Sequence, residues 1–122
     1  MEPRREQIGA LPQEMTFEVD RTDEDSVLHV HGDLDVHTAG DLGDALAQEC
    51  AGDVQRVVVD LTEVTVLDSV AIGVLVVALQ RLRERAGTLE LVCADRRLLR
   101  MLRLTRLEGL FRVHRDLSAA SL

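Results

Sequence analysis

The chain has 122 residues, 46% of them apolar, and a formal net charge of −8, which suits one domain with one core. It holds no run of about 18 apolar residues able to span a bilayer, and its opening residues MEPRREQIGALPQE do not read as a signal peptide, so a cytoplasmic protein with no membrane role is expected. A net acidic chain whose only aromatics are Phe17 and Phe111 lacks the stacking platforms of a nucleic-acid binder, and Cys50 and Cys93 match no metal spacing and read as free thiols.

Residues 1–14 carry both prolines and no clear periodicity, and are expected to form a flexible N-terminal tail ahead of a domain over residues 15–122. Met15 to Asp20 alternates apolar and polar side chains and predicts a half-buried strand. The acidic turn Arg21 to Asp25 leads to a second strand over Val27 to Val30, and so short a connection predicts an antiparallel hairpin. Thr38 to Cys50 predicts a helix with Ala39, Leu42, Ala45, Leu46 and Glu49 on one side. Arg56-Val-Val-Val-Asp-Leu61 has the apolar continuity of a strand inside a parallel sheet.

A helix from Val70 to about Arg85 is expected to stop at Gly87, taken as the C′ glycine. Thr88 to Cys93 predicts a strand, Asp95 the cap of a helix running to about Leu104, and Phe111 to Val113 a short last strand before an alanine-rich tail. The order predicts an α/β fold: a mixed sheet of about five strands, with an N-terminal antiparallel hairpin and a parallel section, covered by three or four helices.

The chemistry concentrates in Val64-Thr-Val-Leu-Asp-Ser-Val-Ala-Ile-Gly73. A strand exit followed by Asp68-Ser69 sets one hydroxyl on the first turn of a helix, where unpaired backbone N–H groups favour an anion such as a phosphate. On a helical wheel Leu75, Leu79, Leu82 and Ala86 share an arc with Ala71 and Ala78 that should pack on the sheet. Val70, Val74 and Val77 fall on the opposite arc, and Ser69 lies on that outer side in line with Gly73, Val76 and Gln80. Valines stranded outside beside a hydroxyl read as a docking surface for another protein, or as a face that a neighbouring loop or helix of the same chain covers. By residue type alone, Asp68 or Ser69 serves equally well as a helix cap, as do Asp35 and Thr38.

Gly32-Asp33-Leu34-Asp35 with Thr38-Ala39 is similar to the G-E-L-D-x-x-T-A motif of the single-domain anti-sigma factor antagonists of bacteria, members of the STAS domain family. Val58-Val59-Asp60-Leu61 through Leu67-Asp68-Ser69 and Gly73-Val74-Leu75 resembles that family's strand, loop and phosphoacceptor helix, and the likeness spans about residues 15–118. The resemblance implies a STAS fold and a protein that binds an anti-sigma factor of the serine/threonine kinase type while unphosphorylated, releasing a sigma factor. It also implies that phosphorylation of Ser69 ends the binding, that a phosphatase resets the cycle, and that Asp35 sits near Ser69 to shape a surface with Asp68, Val70, Gly73, Val74 and Val77. The chain departs from the family pattern at Val70 and Ala71, where a second hydroxyl residue and a glycine are usual, and the Ala71 methyl is expected beside the loop that a kinase approaches. That departure keeps open an alternative: a STAS module that binds without phosphorylation, as a scaffold or a regulatory piece of a transporter.

No catalytic residue and no cofactor are expected. A serine-hydrolase elbow needs small residues flanking its nucleophile, whereas Ser69 lies in Leu67-Asp-Ser-Val-Ala71, and nothing marks His29, His31 or His37 as a base. His29 and His31 share a strand face without an evident third metal ligand, and are expected to be surface or edge histidines. Charge is divided along the chain: residues 1–68 hold 17 acids and 4 arginines, net −13, and residues 69–122 hold 5 acids and 10 arginines, net +5. Arg96, Arg97, Arg100, Arg103 and Arg106 stud the third helix, a face that solvent covers or that meets the acidic half of a second copy in a homodimer.

Overall fold

The computed structural model describes residues 4–9, 15–105 and 108–120. Strands β1 (Arg4–Gly9), β2 (Met15–Arg21) and β3 (Asp25–Gly32) are followed by helix α1 (Ala39–Ala51), strand β4 (Arg56–Glu63), helix α2 (Ser69–Arg83) and strand β5 (Thr88–Val92). Helix α3 (Arg96–Leu104), a 3-10 turn at Glu108–Leu110 and strand β6 (Arg112–His114) complete the chain. The six strands lie side by side in sequence order. β1, β2 and β3 pair antiparallel, and β3 to β6 pair parallel.

Every parallel crossover therefore steps the same way along the sheet, and right-handed connections put all three helices on one face. Strand alternation follows. Met15, Phe17, Val19, Leu28, Val30, Val57, Val59, Leu61, Leu89 and Leu91 point toward the helices and join the main core. Val27, Val58 and Val92 point to the other face, where Leu117 and Ala120 of the C-terminal segment pack against them. β4 is buried from Val57 to Leu61, as expected of a strand with parallel neighbours on both sides.

The expected hairpin, parallel section and three helices are present, and the sheet gains one strand. Arg4–Gly9, assigned from sequence to a flexible tail, pairs with Thr16–Arg21 as an edge strand. An edge strand needs no continuous apolar face, and RREQIG carries no alternation to betray it. The rest of the expected tail lies outside the described residues.

The end of α2 also differs in detail. The left-handed residue is Ala86, at φ 59°, rather than Gly87. Gly87 is required for space: a Cβ there would sit 2.8 Å from the Gln55 carbonyl oxygen and 3.1 Å from that of Leu82. Its N–H donates to Leu82 O at 2.7 Å and closes the helix. Ala86→Gly is therefore expected to stabilise the fold by about 0.5–1 kcal/mol, because relief of the left-handed alanine exceeds the added chain entropy. Gly87→Ala should destabilise it by about 1–3 kcal/mol through overpacking against rigid backbone. Urea denaturation of the two variants checks both signs.

Candidate functional site

Two loops at the carboxyl ends of β3 and β4 are stitched together by backbone. Leu34 N donates to Val66 O at 2.8 Å and Asp68 N donates to Leu34 O at 3.0 Å, so Leu34 and Leu67 form a parallel bridge with both side chains buried. This register brings Asp35 alongside Asp68, each the residue after a bridge partner. Gly32, at φ 112°, makes the turn out of β3 that this approach requires.

Asp68 caps α2, its Oδ1 accepting from Ala71 N at 3.0 Å. Ser69 is thereby the first helical residue, and its side chain is exposed. Among the described residues its hydroxyl has no hydrogen-bond partner, because Asp68 already does the capping. The hydroxyl thus faces outward beside the unpaired N–H groups of a helix start.

Asp35 is half-buried and its carboxylate serves the loop: Oδ1 accepts from His37 N at 2.8 Å and Thr38 N at 3.2 Å. Thr38, although at the cap position, gives α1 no side-chain cap. Its hydroxyl donates to Asp33 O at 2.8 Å and accepts from Asp35 N at 3.0 Å, tying the loop into one shape.

The valine arc is outward in part. Val70 is 47% and Val77 56% exposed, and Gly73 is exposed with open space around it. Val74 is half-buried because Gly43 of α1 lets its Cγ1 approach to 3.6 Å of where a Cβ would stand, and Val76, expected outside, packs against the core. Between α1 and α2 this leaves a shallow apolar groove of about 190 Å³ along Gly43, Ala47, Val74 and Val77. Ala71 is fully buried. Its methyl points into the core and does not stand in the path to Ser69, contrary to the expectation from sequence.

In these two loops, exposed Val36 at 60% and Val66 at 43% are not foreseen from sequence. Each belongs to one of the two stitched loops and extends the apolar rim. Only the bridge between Leu34 and Leu67 reveals that they belong together, and nothing in the local sequence signals it.

The opposite sheet face holds a separate ionic network. His29 is half-buried and not at an edge: it stands on the third of six strands, with Nδ1 2.7 Å from Asp60 and Nε2 2.9 Å from Asp20. Its pKa is raised by the hydrogen bond to Asp60, against burial and with help from Asp20. Glu90 is held down to about 2 by Arg56, against burial, with His114 and Thr88 contributing. Among the described residues no group of three His, Cys, Asp or Glu side chains is arranged to hold a metal.

A raised histidine pKa stabilises the fold fully below its unfolded value near 6.5, and that contribution is lost as pH rises through the folded value. Denaturant titrations from pH 6 to pH 9 should therefore show falling stability in the parent. His29→Asn should be less stable at pH 6 and should show a flatter profile across that window.

The STAS domain family model matches residues 16–120. An anti-sigma-B factor antagonist of Listeria monocytogenes is 34% identical over 102 residues, covering 81% of this chain and 88% of that protein. Among solved structures, an anti-sigma factor antagonist from Mycobacterium paratuberculosis has a TM-score of 0.81 at 28% identity, covering 92% of this chain and 95% of its own. The anti-sigma factor antagonist SpoIIAA in its unphosphorylated form has a TM-score of 0.74 at 18% identity, over 86% of this chain and 93% of its own, which speaks for the fold alone. Bacillus SpoIIAA in the phosphorylated form has a TM-score of 0.66 at 18% identity, over 86% of this chain and 96% of its own. No helix among the described residues is long and apolar enough to cross a membrane.

Proposed function

The chain belongs to the STAS domain family, and on that footing we propose that it is an anti-sigma factor antagonist, a binding protein rather than an enzyme, acting in the cytoplasm. In its unphosphorylated state it docks on an anti-sigma factor of the serine/threonine kinase type and frees the sigma factor. Phosphorylation of Ser69 by that kinase ends the complex, and a phosphatase restores it. The docking surface is Asp35, Asp68, Ser69, Val70, Gly73, Val74 and Val77, with Val36 and Val66 added to its rim.

The observation that carries this reading is the state of Ser69. Its hydroxyl is exposed and unbonded among the described residues, because Asp68 has taken over the capping, and exposed Val70 follows it on the first turn of the helix. A hydroxyl needed for capping would be costly to modify, and this one is spare. The relatives support the reading by name, and SpoIIAA has both phosphorylated and unphosphorylated forms.

One observation favours a second reading. Val70, stiff and β-branched, stands half exposed next to the acceptor where the family usually has a hydroxyl residue. A STAS scaffold or transporter-regulatory module that binds without phosphorylation fits that change. The deciding experiment incubates the protein with ATP and a kinase-type anti-sigma factor and maps phosphate by mass spectrometry. A single phosphate at Ser69 is expected. Stable capture of the kinase with no phosphate on the chain would establish the second reading instead.

A further inference from the structure

We propose that the cleft between α3 and the chain leaving β6 is a binding site for a small polyphosphate anion, a role independent of the surface around Ser69. The cleft has a volume of about 560 Å³ and is lined by Ala94, Arg96, Leu99, Arg100, Arg103 and Arg115. Four arginines line it, and among the described residues no carboxylate does. Ala94 follows β5 and Arg115 follows β6. The cleft thus opens at the carboxyl ends of two parallel strands.

Several arginines of this acidic chain are committed to its architecture. Arg21 is bidentate to Glu49, Arg56 is bidentate to Glu90, and Arg85 donates to the carbonyls of Cys50 and Val54. Arg97 pairs with Asp95 at 3.5 Å, and the other Asp95 oxygen caps the helix on Arg97 N and Leu98 N. Arg96, Arg100 and Arg115 make no ion pair or hydrogen bond among the described residues, and all three are exposed. Their charges are unspent.

Their placement also runs against helix electrostatics. Arg96 and Arg97 are the first two residues of α3, Arg100 follows one turn on, and the first turn holds no acid. The helix start is the positive end of its dipole, where anions are favoured and cations are not. A bound anion neutralises the mutual repulsion of the guanidinium groups and adds to the negative charge that Asp95 alone supplies at this helix start. Guanidinium forks match phosphate oxygens two at a time, and the cleft is larger than one tetrahedral anion needs, so two or more linked phosphates fit its charge and size.

Sodium pyrophosphate is the probe, titrated calorimetrically into the full chain at fixed ionic strength, with orthophosphate and a poly-glutamate peptide in parallel. Saturable binding of one pyrophosphate per chain is expected, with orthophosphate at least tenfold weaker. Arg96→Ala with Arg100→Ala should weaken pyrophosphate at least tenfold, while Ser69→Ala binds it as the parent does. The ligand-free double variant should melt no lower than the parent, since two cations leave a helix start, and this separates lost binding from lost folding. The proposal is overturned by absence of saturable heat, by equal binding to parent and double variant, or by tighter binding of the glutamate peptide. Dimerisation of the free protein that Arg96→Ala with Arg100→Ala abolishes would also overturn it, giving the face to a second copy.

Discussion

Ser69→Asp is expected to weaken capture of a kinase-type anti-sigma factor by about 100-fold or more, near 2.7 kcal/mol, while leaving the fold intact. Two effects of the added charge oppose each other. At the first position of α2 a carboxylate faces the positive end of the helix dipole, which stabilises the free protein by about 0.3–1 kcal/mol. In the complex the same charge is taken from water within a rim of exposed valines, beside Asp68 and the segment bearing Asp35. Neither acid can neutralise it, and an uncompensated buried charge costs about 3–5 kcal/mol. The interface effect is the larger, so binding is lost without unfolding. A phosphate, at about −1.5 to −2 charges, should act in the same direction and more strongly.

Ser69→Ala gives the complementary result. Its hydroxyl caps nothing and bonds to nothing among the described residues, so the alanine variant should fold and bind normally and should no longer respond to ATP. Pull-downs of parent, Ser69→Ala and Ser69→Asp, with melting curves on the same samples, check the pair. Equal capture of all three proteins would remove the charge mechanism. A melting temperature well below the parent for Ser69→Asp would mean that the acceptor is a structural residue.

The parts of this site that follow from local periodicity were legible, and those that follow from contacts between distant segments were not. Leu75, Leu79 and Leu82 recur at helical spacing and are buried as that spacing requires. The outward side of Ser69 follows from the same helical spacing, whereas residue type leaves Asp68 and Ser69 equal as caps and the bond from Ala71 N to Asp68 decides between them. Val36 and Val66, by contrast, become one surface only because Leu34 and Leu67 bridge two loops more than thirty residues apart. His29 illustrates the same divide. Its spacing from His31 places both on one strand face, but the carboxylates that claim it arrive from β2 and β4, one through an antiparallel register and one through a parallel register. Gly87 was legible as a necessary glycine for the wrong reason, because the nearest clash that demands it comes from Gln55, the residue before another strand.

Arg21→Ala is expected to destabilise the fold by about 3 kcal/mol. Glu49 projects from α1 into the helix–sheet interface with its side chain 1% exposed. Arg21, at the end of β2, meets it through Nε at 2.9 Å and Nη2 at 2.8 Å, and Ser26 donates at 2.6 Å. Burial pushes the Glu49 carboxyl up, and the bonds from Arg21 and Ser26 outweigh it and hold the carboxyl below its ordinary value. A depressed carboxylate contributes stability above its unfolded pKa near 4.5, which is lost as pH falls through the folded value. Without Arg21, burial dominates and the sign reverses: the carboxyl prefers its proton, and the variant regains ground on the parent as pH falls from 7 toward 4. Arg21→Met with Glu49→Leu should recover most of the lost stability, because it removes the charge and the partner together. Denaturation of parent, single and double variants at pH 7 and pH 4 tests the argument. A deficit in Arg21→Ala that is equal at both values would place the cost in lost arginine packing and not in an abandoned carboxylate.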